Sequence, residues 1–115
     1  MSMEIIRTTD AHKFENGPSY IAYEYGTHEP ALNIARVEID GRVPAEGKMR
    51  NTTVKEIVYV AAGVGTVTIN GTVHDIGVGD VILYQPLEEV VWEGRLTLII
   101  ACTPAWTLVQ HEMVP

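Results

Sequence analysis

Glu56 is a lone carboxylate inside VKEIVYVAA, a run that is otherwise almost continuously apolar. Such a run reads as a strand buried on both faces. A carboxylate there must find a partner or hold its proton to a higher pH. It is therefore a candidate pocket acid or base, or an acceptor for a bound ligand. The plainer alternative is a structural carboxylate bonded to its neighbours. Arg50 has the same parity as Glu56, so in a regular strand both side chains share a face. A guanidinium there can pair with Glu56 or grip an anion through two parallel donors. An arginine reaching solvent from the strand start is the alternative.

Three further residue types could join them. Tyr84 and Gln85 precede Pro86, and alternation turns one of the two inward. A tyrosine hydroxyl in a pocket mouth suits hydrogen bonding to a small ligand, and a packed aromatic is the competing reading. The four histidines are His12, His28, His74 and His111, and no two have a recognised ligand spacing. His74 is the best placed of them, although a surface strand position suits it as well. Cys102, the only cysteine, lies in the apolar run LIIACTP and reads as a buried thiol without a disulfide partner. Trp92 and Trp106 read as core or interface anchors. No Gly-x-Ser-x-Gly elbow is present, and GVGTV lacks the lysine of a phosphate-binding loop.

The elements that must carry these residues are short strands. Ala35, Val37 and Ile39 alternate with Ile34, Arg36, Glu38 and Asp40, so the first set should face a core. GTVTINGTVHDI is two strand-like runs around Asn70-Gly71, the pair preferred in a two-residue type I′ turn. That turn sets Ile69 opposite Thr72 and Val67 opposite His74. GVGD is a second turn, and VILYQ, VVWE and RLTLIIAC complete the series. Short helical candidates fall only at Thr9–Glu15 and Trp106–Met113. The chain has 115 residues, 46% apolar and 20% charged, which suits one globular domain over residues 1–115. Many short strands at even spacing predict an all-β sandwich or barrel.

Eight basic against fifteen acidic residues give a net charge of −7. That balance argues against nucleic acid and anionic membrane surfaces as partners. No apolar run is long enough to span a bilayer, and MSMEIIRTTD lacks a signal-peptide pattern. A soluble, cytoplasmic protein is the expectation.

With these elements in place the chain resembles the cupin superfamily, the double-stranded β-helix (jelly-roll) barrels. Glu56 and Gly63 have the spacing of the first cupin motif, and Gly79-Asp80 with Pro86 match the start of the second. The Asn70-Gly71 hairpin between them and the tail CTPAW are also similar to small cupins, so the resemblance covers about residues 31–106. In metal-bearing relatives the first motif supplies two histidines and a glutamate, and the second supplies a histidine. Those positions fall here at Arg50 and Thr52, or at Met49 and Asn51 in the other register, and at about Val90; only Glu56 is a ligand type. One carboxylate does not hold a divalent transition metal tightly.

The resemblance thus implies a barrel without metal or other cofactor. The expected pocket residues are Glu56, Arg50, Thr52, Tyr84, Val90 and His74. The expected function is binding of a small polar or anionic ligand, as sensor, carrier or accessory protein. The alternatives are a metal-independent isomerase, epimerase or lyase acting on a sugar or small carboxylate, and a non-catalytic partner-binding module. Small cupins pair through a sheet edge or an exchanged strand, and the run EIIRT is a candidate edge, so a homodimer is expected.

Overall fold

The computed structural model describes residues 3–115. Among the described residues nine strands form one curled antiparallel sheet: β1 His12–Glu15, β2 Tyr20–Tyr25, β3 Asn33–Val43, β4 Lys48–Asn51, β5 Lys55–Ile69, β6 Thr72–Gly77, β7 Val81–Tyr84, β8 Val90–Thr103 and β9 His111–Val114. The sheet runs β1-β2-β3-β8 and then on to β4 and β9; β5 lies against the other side of β8 and also takes β6 and β7. Strands β5 and β8 are long enough to wrap, and β8 pairs with both β3 and β5 along its length. The fold is all-β, a curled barrel of the jelly-roll type, as the strand pattern predicts. Among the described residues no helix is long and apolar enough to cross a membrane.

The inner face is built in rows across β3, β8 and β5. From one end they read Val43/Trp92/Val67, Gly41/Gly94/Gly65, Ile39/Leu96/Gly63, Val37/Leu98/Val60, Ala35/Ile100/Val58 and Asn33/Cys102/Glu56. A register shift between Val60 and Ala62 keeps the long strand in phase while it bends. Val37, Val58, Val60, Val67, Trp92, Leu96 and Leu98 are each at most 2% exposed, so the middle of the barrel is solid apolar packing. Polar side chains reach the inner face of these three strands only in the last row. The pocket question is therefore confined to one end of the barrel.

The glycine row lets the sheet curl. An added Cβ on Gly94 would sit 2.6 Å from Gly65 Cα and from the Val64 carbonyl, and its φ is +135°. Two backbones approach there as no side chain would allow. Asn70 at φ 49° and Gly71 at φ 84° make the expected tight hairpin, with Ile69 opposite Thr72 and Val67 opposite His74.

Three local expectations differ from the structure. VKEIVYVAA is not buried on both faces: Glu56, Val58 and Val60 point inward, whereas Ile57 and Tyr59 are each 47% exposed. The apolar outer side chains masked the alternation. Thr9–Glu15 and Trp106–Met113 hold only single 3-10 turns at Thr8–Asp10 and Leu108–Gln110, followed by strands β1 and β9. One turn of apolar spacing is too short to nucleate a helix against available strand partners. The described residues of EIIRT form no strand; β1 is the edge beside β2 instead.

Gly94→Ala should cost about 3 kcal/mol in urea unfolding, because backbone must move to admit the methyl group. Gly26→Ala, where nothing lies within 4 Å of the added Cβ, should change stability by less than ~0.5 kcal/mol.

Candidate functional site

Glu56 is 6% exposed and closes the last row of the barrel beside Cys102 on β8 and Tyr84 on β7. Its two oxygens are both engaged. Asn51 Nδ2 donates to Oε1 at 2.6 Å, and the Tyr84 hydroxyl donates to Oε2 at 2.8 Å. Tyr84 is itself held edge-on to Trp92, with ring centroids 6.4 Å apart. Burial pushes the Glu56 carboxyl above its ordinary value, and the two donors hold it back only in part. Burial and the nearby Glu56 raise Tyr84 well above the usual phenol value, so its hydroxyl stays a donor.

Asn51 is the second centre. It is 4% exposed, and its Oδ1 faces Gln110 Nε2 at 3.0 Å, Trp106 Nε1 at 3.3 Å and His111 Nδ1 at 3.4 Å. Gln110 is oriented in turn, because its Oε1 faces the backbone N–H groups of Thr53 and Val54 at 3.4 and 3.3 Å. Those donors fix the Gln110 carbonyl, which turns its amide toward Asn51 Oδ1. The amide of Asn51 must then face Glu56. The network therefore has one polarity, running from two backbone donors through Gln110 and Asn51 to the carboxylate. The Trp106 and His111 rings lie 5.8 Å apart over this network. Burial pushes His111 below its ordinary value, so it is neutral at pH 7. Tyr20 is pushed up to about 12 by burial and then by Glu56 and Glu24. Burial and Glu56 raise Cys102, which keeps its thiol protonated.

Several expected positions lie elsewhere. Arg50 does not meet Glu56; it points to the outer face and pairs with Glu112 of β9 at 3.4 Å. The chain bends over residues 52–54 between β4 and β5, so parity does not carry from Arg50 to Glu56. Asn51 takes the inward place. Thr52 is exposed, and both its N–H and its hydroxyl donate to the Gln110 carbonyl. Val90 is 1% exposed in the apolar core and pairs with Met49. His74 is exposed on β6, away from this end.

Met49, Asn51, Glu56 and Val90 point inward, and they are the positions that one register of the resemblance sets against metal ligands. The donor set does not fit a divalent transition metal: a thioether, an amide, one carboxylate and an alkyl group. Among the described residues no three His, Cys, Asp or Glu side chains converge. The residues that sequence reasoning passed over are Gln110, His111 and Trp106. They arrive from the segment after β8, and its sequence carries no spacing signal. Asn51 had one such signal, its five-residue offset to Glu56.

Arg50→Ala should cost no more than ~1 kcal/mol, as for a partly exposed pair. Glu56→Gln tests the buried charge. A raised folded-state value means that the Glu56 contribution is full below the ordinary carboxylate value of 4.5 and is lost as pH rises through the folded value. The Tm of Glu56→Gln relative to wild type should therefore rise from pH 4.5 to 7, measured by calorimetry. A flat difference would reject the buried-charge account.

The comparisons with known proteins agree with this architecture. Residues 55–90, from the start of β5 to the start of β8, match the model of the AraC-like ligand binding domain. No curated protein sequence matches the chain. A Streptomyces PAC13 structure with uridine is 18% identical, with a TM-score of 0.88 over 99% of this chain and 92% of that one. Pac13 is described as a unique nucleoside dehydratase. An RmlC-like cupin from Shewanella frigidimarina is 19% identical, with a TM-score of 0.73 over 90% and 93% of the two chains. KdgF from Halomonas sp. is 17% identical, with a TM-score of 0.73 over 90% and 94%. With the inner rows and the hairpin, these likenesses show that the chain has a cupin-type fold.

Proposed function

We propose that this protein is a metal-free cupin that binds a small polar ligand at the barrel end closed by Glu56. The single observation that carries this reading is the buried Glu56–Asn51–Gln110 network beneath His111 and Trp106. A stable core does not need a charge at that place; apolar side chains would fill it at lower cost. An oriented acceptor cluster beside two partly buried rings supplies the few placed polar groups that fix the orientation of a small ligand. The match to a ligand-binding domain over β5 to the start of β8 supports the same reading.

A second reading is a metal-independent enzyme. Burial raises the Glu56 carboxyl and lowers the His111 imidazole, which brings the proton affinities of an acid and a base closer together. The similarity to a nucleoside dehydratase makes this the chemistry to test first. Binding and catalysis share one mouth, so the same ligand screen serves both.

A homodimer is part of the proposal. The outer face of β3, β8, β5 and β7 carries Ile34, Ile57, Tyr59, Val81 and Leu83, each 43–58% exposed and in register. A second copy would cover this apolar stripe.

A thermal-shift screen of neutral and anionic sugars, nucleosides and small carboxylates should find a ligand that raises Tm. That shift should be lost in Glu56→Ala. Stoichiometric iron, manganese, nickel or zinc in the purified protein would overturn the metal-free reading. Leu83→Glu should convert a dimer to a monomer in light scattering, and a wild-type monomer at micromolar concentration would reject the pairing.

A further inference from the structure

We infer that the ligand is an uncharged, hydroxyl-bearing ring compound that donates hydrogen bonds to His111 Nε2 and Glu56, and that anionic counterparts are rejected. The inference rests on the proposed binding site and narrows its ligand class.

Two features of the mouth exclude anions. The first is the polarity of the network. Its principal donors are already committed inward: Tyr84 and Asn51 to Glu56, and Gln110 and Trp106 to Asn51. Asn51 Oδ1 is an acceptor, so His111 meets it through an Nδ1–H and keeps a lone pair on Nε2. Each Glu56 oxygen retains a second lone pair beyond its single donor. The unfilled capacity is thus mainly acceptor capacity, which an alcohol or N–H satisfies and a phosphate or carboxylate does not.

The second feature is the charge. Glu24 shares the inner parity of β2 with Tyr20 and the buried Ala22, which adds a second carboxylate to the Glu56 side. The cations are placed elsewhere. Arg50 pairs with Glu112, Lys48 with Glu89, Arg36 with Glu38, Arg95 with Asp40 and Lys13 with Glu15. Arg42 is bound to the carbonyls of Pro44 and Gly47. Lys55 is exposed on the face of β5 opposite to Glu56, and Arg7 is exposed in the segment before β1. An anion entering the mouth would meet carboxylates with no cation bonded into the network.

Matched pairs that differ only in charge test the inference by titration calorimetry on the full chain: uridine with uridine 5′-monophosphate, and galactose with galacturonate. The expected result is that a neutral member binds and its anionic partner binds at least ~30-fold more weakly, which corresponds to about 2 kcal/mol. His111→Asn keeps a donor toward Asn51 and removes the Nε2 acceptor. It should weaken the neutral ligand about tenfold, and the Tm of the unliganded variant reports separately any loss from the network. An anionic member binding as tightly as its neutral partner overturns the inference while the binding site itself stands. Undiminished binding by His111→Asn overturns it as well. Silence from all four compounds also overturns it; the wider thermal-shift screen then decides separately whether the site binds anything.

Discussion

A carboxylate held out of water at the end of an apolar barrel must be given donors, and much of the local structure follows from that need. Glu56 is placed by β5, whose neighbouring inward residues are valines. Its donors come from β4 and β7, and the orientation of the β4 donor is imposed from the chain after β8. Four separate segments, β5 among them, therefore meet in one network. Loss of the carboxylate leaves Asn51 and Tyr84 donors without an acceptor, and loss of a donor leaves a buried charge with too few bonds. The cluster is a unit, and its members are not interchangeable one at a time.

The apolar rows beneath it do the opposite work. Val58, Val60, Leu98 and Leu96 fill the barrel so fully that a ligand cannot pass below the last row. The three aligned glycines bring strands close enough to curl the sheet, and curling brings β4 and β9 to the mouth. Curvature, apolar filling and the isolated polar row are consequences of one pattern. Small residues stand where backbones meet, and bulky aliphatic residues where the interior must be dry.

Among the described residues the inward positions beside Glu56 carry no set of side chains suited to a divalent transition metal. Met49 and Val90 complete an apolar contact, and Asn51 becomes the hub of a hydrogen-bond network. An amide can donate and accept at once, which a metal-bound imidazole cannot.

Much of the fold was legible in the residues. The Asn70-Gly71 turn set the hairpin register, the alternation of Ala35, Val37 and Ile39 set the inner face of β3, and the offsets from Glu56 to Pro86 marked the barrel. These are local or nearly local features, and strand periodicity transmits them without help. Glu56 and Tyr84 were also visible, because polar groups in apolar strands must face something. The partner of Glu56 was not visible. Alternation predicted Arg50, but a bend at residues 52–54 breaks the strand and puts Asn51 inward. His74 stood out in a strand, yet β6 carries it outward, while His111 reaches the site from the far end of the sequence. The sequence by itself determined the inner face of β3, the hairpin of β5 and β6, and the carboxylate that needs a partner. Only the tertiary structure decided which partners it has, because parity is lost at a bend and pairing between distant strands is set by packing.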